Sequence, residues 1–291
     1  MSSLQEKAKV LLRAVGEPEV DWRHSLYDWV TDRIGPESVS VDIETLKRIE
    51  VVSVLDKYVR PGQRVLDVGF GKGKFVHYFI SKGCVVTRIE NERILVEQLK
   101  AIKPEYDLEF GDALDLAYDD ASFDIYHTQG LIFYFDWPLG QLRMLAEAHR
   151  VLRDGGLLII IAVVPGALWR MYKVYSRDAY HSRFWDWLRR LLGKKPLEKY
   201  SRGYYLSRSQ FRLLVSVSGF EILEERPLDY ASGVLMWGGD SYFRKDCIPG
   251  ESAGNLNWLG KLLYQINKID PWFSPQICAI VARKQDEKMG L

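Results

Sequence analysis

The sequence predicts an α/β fold in which buried strands and amphipathic helices alternate along the chain. Short apolar runs typical of strands are followed by segments whose apolar residues recur every three or four positions. The first pair joins residues 64–68, a buried-strand pattern, to a helix marked by Phe75, Val76, Phe79 and Ile80. A glycine-rich turn connects the two. This order is typical of βαβ units and a parallel sheet.

The turn after this first strand carries an acid and then glycines at alternate positions: Asp67, Gly69, Phe70, Gly71 and Gly73. Such glycines let the backbone fold tightly and bring its N–H groups close to a ligand. The dinucleotide fingerprint G-x-G-x-x-G needs its third glycine where this chain has Lys74. The Asp67 carboxylate would repel a pyrophosphate but attract a cationic amino-acid group. A turn that only packs tightly is the alternative interpretation.

The second predicted strand, residues 84–89, also ends at an acid, Glu90. Its two carboxylate oxygens match the two hydroxyl donors of a ribose, because each oxygen can accept one hydrogen bond. An acid in an ordinary surface loop is the alternative. After a helix at residues 92–102, the short strand 108–110 leads to another acid, Asp112.

The remaining segments continue the alternation: strand 123–129, helix 141–152, turn 153–156, apolar strand 157–161, helix from 208, strand 221–225 and final strand 277–284. Gly83 is predicted to stop the first helix, and the Ser207 hydroxyl is predicted to cap the helix that begins at 208.

In order and spacing, these segments resemble the class I S-adenosylmethionine-dependent methyltransferases, whose first motif is an acid followed by glycines at alternate positions. The likeness extends over residues 41–284, with insertions. It implies a Rossmann-like, seven-stranded, mostly parallel sheet with helices on both faces, an antiparallel last strand and helical lid insertions. It also implies S-adenosyl-L-methionine as cofactor, with methyl transfer to oxygen, nitrogen or carbon of a small-molecule or lipid-like acceptor.

The resemblance places the cofactor-binding residues at successive strand ends. Asp112 matches the acid that, in the family, accepts from the adenine amino group, and Gln129 would face the methionine part. The full set it implies is Asp67, Gly69, Phe70, Gly71, Gly73, Glu90, Asn91, Asp112, Ala113 and Gln129.

Methyl transfer from a sulfonium is an in-line displacement, so the protein mainly aligns two reactants and manages one proton. His127 lies near the exit of the fourth strand and has a suitable ordinary pKa for a base, although a structural histidine is equally open. Tyr134 and Asp136 lie where the family lines its acceptor pocket. The motif that marks methylation of adenine or glutamine amide nitrogen is absent from this exit, which argues against those acceptors.

The predicted organisation is a core with added helical segments: N-terminal helical layer 1–60, core 61–165, 206–230 and 276–285, aromatic and basic insertion 166–205, and second insertion 231–275. The first insertion begins at the carboxyl end of the fifth strand, on the edge where open α/β sheets bind ligands. It is therefore expected to form a lid. It could be an amphipathic cap with solvated cations, a lid for an apolar acceptor with transient membrane-surface contact, or a platform for nucleic-acid bases.

Composition narrows the functional classes. The 291 residues are 47% hydrophobic and 27% charged, with net charge +1, which describes a globular protein and does not favour nucleic acid as partner. Cys84, Cys247 and Cys278 are widely spaced, so we expect packing residues and no metal site. No targeting or membrane segment is recognised, which predicts a cytoplasmic location. No partner protein is indicated.

Two other functions remain open at the level of the sequence. One is methylation of RNA or protein, which for a polyanion would require salt-sensitive binding. The other is a non-catalytic protein that binds S-adenosylmethionine and acts as a regulator.

Overall fold

The computed structural model describes residues 51–69, 75–102, 106–164, 203–228 and 277–285, together with residues 19–21 and a few isolated positions. Most of the N-terminal layer, the glycine turn at 70–74 and most of both insertions lie outside the described residues. The predicted domain division therefore stays a prediction.

The described strands, in chain order, are β1 (Glu19–Asp21), β2 (Arg64–Val68), β3 (Val85–Glu90), β4 (Leu108–Phe110), β5 (Phe123–Gln129), β6 (Leu152–Val163), β7 (Gly203–Tyr205), β8 (Phe220–Leu228) and β9 (Ile277–Lys284). Seven of them form one sheet in the order β4-β3-β2-β5-β6-β9-β8. Strands β2 to β6 pair in parallel, whereas β9 runs antiparallel to both β6 and β8. The predicted seven-stranded, mostly parallel sheet with an antiparallel last strand is confirmed.

The described helices with defined bounds are α1 (Val76–Ser81), α2 (Arg93–Ile102), α3 (Leu139–Val151) and α4 (Arg208–Val217), and residues 51–58 are helical as well. The start of α4 is a capping box. Ser207 Oγ accepts from the Gln210 N–H, and Gln210 Oε1 accepts from the Ser207 N–H at 2.7 Å. The predicted hydroxyl cap is therefore confirmed. Gly83, with φ +75°, follows the end of α1 as predicted.

Both faces of the sheet are covered, because neighbouring residues of each strand point to opposite sides. On one face, Val65 and Ile125 belong to a core that includes Leu55 of the 51–58 helix and Phe79 of α1. On the other face, Leu66, Tyr126 and Ile160 pack with residues of α3 and α4: Leu145, Ala148, Phe211 and Leu214. Residues 157–163 of β6 and 277–282 of β9, buried on both faces, form continuous apolar runs.

Two local differences separate the prediction from the structure. Strand β6 begins at Leu152 and includes the predicted turn. Phe123 of β5 pairs with Leu152, but Ile125 pairs with Leu157, so the chain bulges at Gly155, whose φ is +69°. The predicted N-terminal helical layer contains strand β1, which pairs antiparallel with β7. This pairing joins distant segments, and local periodicity carries no signal for it. Among the described residues, no helix has the length and apolarity to cross a membrane.

Candidate functional site

A cleft opens at the carboxyl ends of β2, β3 and β4. It contains about 240 Å³ of empty space, counted out to its open mouth, and is lined by Val68, Gly69, Ile89, Glu90, Asn91, Gly111, Asp112, Ala113, Leu131 and Phe135. Half of these residues belong to the cofactor set expected from the sequence: Gly69, Glu90, Asn91, Asp112 and Ala113. The fold therefore brings together residues from three strand ends that are far apart in the chain.

Gly69 forms the floor of the cleft where β2 ends. Its φ is +68°, a conformation that side chains with a Cβ rarely adopt, and its N–H donates to Ile89 O at 2.9 Å. A Cβ built at this position would lie 3.0 Å from the Leu131 side chain. Glycine is thus required both by the backbone and by the close approach of the loop after β5.

Glu90 and Asp112 stand at the tips of the next two strands, and backbone N–H groups hold both carboxylates. Glu90 Oε1 accepts from the Asn91 N–H at 2.9 Å, and Asp112 Oδ1 accepts from the Leu114 N–H at 2.9 Å. The Gly111 N–H donates to Glu90 O at 3.0 Å, which ties the two tips together. The cleft is therefore edged by two acids with fixed orientations.

The loop that carries Asp112 and Ala113 is anchored on α3. Glu147 Oε2 accepts from the Leu116 N–H at 2.8 Å, while Arg150 donates to Leu116 O at 2.8 Å and to Tyr118 O at 2.6 Å. Arg150 also binds Glu147, and this hydrogen bond lowers the pKa of the Glu147 carboxyl. Their contact with the cleft loop is a feature that the sequence reasoning missed.

Asp67 and His127 are not among the residues that line the cleft, and both are buried, 4% and 1% exposed. His127 Nδ1 is 2.7 Å from Asp67 Oδ1. The imidazole ring packs edge-on against Phe75 and Phe79, with centroid distances of 5.7 and 5.1 Å. A general base needs hydrogen-bond reach of the acceptor. His127 is buried and bonded to Asp67, so its expected role as base stays a prediction.

Arg88 is the register partner of Asp67 on β3 and is 1% exposed. Its guanidinium lies 5.1 Å from the Tyr106 ring centroid, and its Nε and Nη2 have no hydrogen-bond partner among the described residues. Burial lowers the pKa of Arg88, and the negative charge of Asp67 opposes that shift. The middle of the sheet therefore holds a buried cation next to a buried acid.

The other predicted residues lie at the exit of β5. Gln129 ends the strand, and its Oε1 is buried with no partner among the described residues. Tyr134 is 66% exposed, and its ring packs against that of Phe133 with centroids 4.3 Å apart and planes tilted by 35°. Asp136 is also exposed. None of the three lines the cleft, so their assignment to cofactor or acceptor stays a prediction.

Phe70, Gly71 and Gly73 lie outside the described residues, as does Cys247. Of the other cysteines, Cys278 is fully buried, which raises the pKa of its thiol, and Cys84 is half-buried. No cluster of three metal-ligating side chains occurs in the part of the chain that the structure describes.

The end of the 166–205 insertion reaches the same region. Strand β7 packs beside the 3-10 helix Ile132–Tyr134, which directly follows the exit of β5. Leu131 and Phe135, on either side of this 3-10 helix, line the cleft. Neither was among the site residues named from the sequence. The last residues of the insertion thus lie next to the loop that borders the cleft.

Comparison with known proteins gives a consistent result. A family model described as a methyltransferase domain matches residues 66–160, the range that contains every residue of the cleft lining. Over 118 residues the chain is 35% identical to 2-methyl-6-phytyl-1,4-hydroquinone methyltransferase 1 of Oryza sativa subsp. japonica, covering 37% of this chain and 33% of that protein. Over 128 residues it is 33% identical to the ubiquinone/menaquinone biosynthesis C-methyltransferase of Roseobacter denitrificans, covering 40% and 50%.

These matches span a third to a half of the two relatives' own lengths. Among solved structures, a S-adenosylmethionine-dependent methyltransferase of Methanosarcina mazei superposes with a TM-score of 0.52 at 20% identity, covering 80% of this chain and 98% of that one. That likeness shows the fold. Together with the family model, these findings confirm the recognition made from the motifs.

Proposed function

We propose that this chain, whose residues 66–160 match a methyltransferase-domain model, binds S-adenosyl-L-methionine in the cleft and transfers its methyl group to an acceptor. The observation that carries the proposal is the position of Glu90 and Asp112 on two adjacent strand tips of one cleft whose floor is Gly69. Two hydroxyl donors of a ribose and the amino donor of an adenine require acceptors of this kind.

The residues present fit the cofactor. Glu90 would accept from the ribose hydroxyls, and Asp112 would accept from the adenine amino group. Ile89 and Ala113 supply apolar contacts for the adenine faces, and Gly69 leaves room for close approach of the backbone. The bound cofactor supplies an activated methyl group and its own leaving group. The protein then has to bind the cofactor and the acceptor, orient them for transfer, and exclude water.

We propose a small-molecule or lipid-like acceptor. Leu131 and Phe135 give the cleft an apolar side, and between them in the chain the exposed Tyr134 packs against the Phe133 ring. Apolar and aromatic linings with few polar groups are typical of small-molecule sites. The two relatives named above are called methyltransferases of a phytyl hydroquinone and of ubiquinone/menaquinone biosynthesis. An apolar, ring-containing acceptor agrees with both observations.

Two measurements test the proposal. Calorimetry should detect binding of S-adenosylhomocysteine and no binding of NADH; the reverse result would overturn the cofactor assignment. Incubation of the protein with methyl-labelled S-adenosylmethionine and a cell extract should then label an organic-soluble small molecule. Label in protein or RNA would replace the proposed acceptor class, and absence of label with retained binding would indicate a regulatory protein.

A further inference from the structure

A row of three polar side chains crosses the centre of the sheet below the cleft. Asp67 is the register partner of Arg88 on β3 and of His127 on β5. Register partners on neighbouring parallel strands project to the same face, so the three side chains share one side of the sheet. Each is at most 4% exposed. A buried carboxylate is costly unless it is paired and hydrogen-bonded, so this row calls for a reason.

The charges in the row balance when the imidazole is neutral. Asp67 and Arg88 carry opposite charges on adjacent strands. His127 Nε2 is buried without a partner among the described residues, whereas Nδ1 faces Asp67 Oδ1 at 2.7 Å. A carboxylate can only accept, so Nδ1–H is the donor. A neutral ring with its proton on Nδ1 fits these contacts, because a proton on Nε2 would be an unsatisfied buried donor.

Arg88 Nε and Nη2 have no hydrogen-bond partner among the described residues, so neither nitrogen bonds Asp67, although a guanidinium can form strong paired bonds with a carboxylate. Among the described residues, the bond that fixes an Asp67 oxygen is the one from His127 to Oδ1. The Asp67 side chain keeps 6% of its surface exposed, one residue before Val68 of the cleft lining.

We propose that His127 is a positioning residue for the cofactor: it holds Oδ1 of Asp67, and thereby leaves Oδ2 for the ammonium group of the methionine part of S-adenosylmethionine. The inference rests on the proposed function and deepens it. His127 does not touch the ligand; it acts through Asp67. The residue expected from the sequence to act as a base thus serves the binding of one end of the cofactor.

Two ligands that differ at the amino-acid end of the cofactor can distinguish a positioning role of His127 from a role in packing alone. S-adenosylhomocysteine carries the amino-acid group, and 5′-methylthioadenosine lacks it. The His127→Phe variant keeps a ring against Phe75 and Phe79 but removes the donor, so it should weaken S-adenosylhomocysteine about tenfold and 5′-methylthioadenosine less than about twofold. In His127→Asn an amide N–H takes the place of Nδ1–H, and most of the discrimination should return.

The Asp67→Asn background provides the second measurement. There, adding His127→Phe should change the affinity for S-adenosylhomocysteine little, because the carboxylate through which His127 acts is gone. If His127→Phe does not fold, His127→Asn decides alone: it should lose thermal stability and keep the preference for S-adenosylhomocysteine. Equal weakening of both ligands in either variant would overturn the inference. Failure of the wild-type protein to bind either ligand would instead overturn the proposed function.

Discussion

The carboxylates at the two ends of the sheet are held by different kinds of donor. At the amino end, Asp124 at the start of β5 accepts from the Arg64 N–H at 2.7 Å and from the Arg153 guanidinium. At the carboxyl end, Glu90 and Asp112 accept from N–H groups of the adjacent backbone and line the cleft. A guanidinium neutralises the charge that it binds, whereas a backbone N–H fixes the orientation of a carboxylate without cancelling its charge.

The two ends consequently contribute to different properties. Burial raises the pKa of Asp124, but the bonds from the Arg64 N–H and Arg153 outweigh it, so the pKa lies below the ordinary value of 3.8. This acid stabilises the folded chain through contacts that the chain itself supplies. Glu90 and Asp112, at the carboxyl end, line a cleft suited to hydroxyl and amino donors. Substitutions at the two ends should therefore separate stability from binding.

The largest expected effect is on binding at the carboxyl end. Glu90→Ala should weaken S-adenosylhomocysteine about 100-fold, because two hydrogen bonds from the ribose to a charged acceptor are lost. Its free energy of unfolding should stay near that of the wild type. Calorimetry and chemical denaturation measure the two quantities. Glu92→Ala removes an exposed acid just after the same strand tip and should change neither; equal weakening by both variants would contradict the assignment.

The next effect is on stability at the amino end. Asp124→Ala should lower the free energy of unfolding by about 2 kcal/mol, because Arg64 N–H and Arg153 lose a charged acceptor. Affinity for S-adenosylhomocysteine should remain unchanged, since Asp124 lies at the opposite end of β5 from the cleft. Denaturant titration gives the first quantity. The exposed Asp119, replaced by Ala, is the matched control. A loss of affinity in Asp124→Ala would contradict the view that the amino end contributes to stability and not to binding.

The contact between Glu147 and the loop that carries Asp112 should affect both binding and stability, and a substitution of Glu147 tests this. Glu147→Gln should weaken S-adenosylhomocysteine by a few-fold and lower stability by about 1 kcal/mol, since the amide keeps an acceptor for Leu116 but loses the charge that binds Arg150. Calorimetry and denaturation on the same sample measure both. Loss of stability with unchanged affinity would show that the loop carrying Asp112 does not depend on this anchor.

The sequence predicts those features of the fold and site that depend on residues close together in the chain. Strand β9 was predicted with the bounds found, because its apolar run is continuous and sharply bounded. Glu90 was assigned to the cofactor from its position at a strand tip, and Asp112 from the family resemblance; both line the cleft. The contact between Asp67 and His127 was not predicted. It depends on the register of β2 against β5, and strands buried on both faces give no alternation from which to read that register.

The smallest expected effect is the acid dependence of stability. The pKa values of Asp124 and Glu147 lie below their ordinary values of 3.8 and 4.5 in the folded protein. Depressed carboxyl pKa values stabilise the fold fully above the ordinary values, and the stabilisation is lost as the pH falls through the folded values. Between about pH 5 and pH 3, Asp124→Ala should therefore lose about 1 kcal/mol less stability than the wild type in denaturant titrations. Parallel curves for the two proteins would mean that Arg153 and the Arg64 N–H do not depress this acid, and the contrast between the ends of the sheet would then be one of position alone.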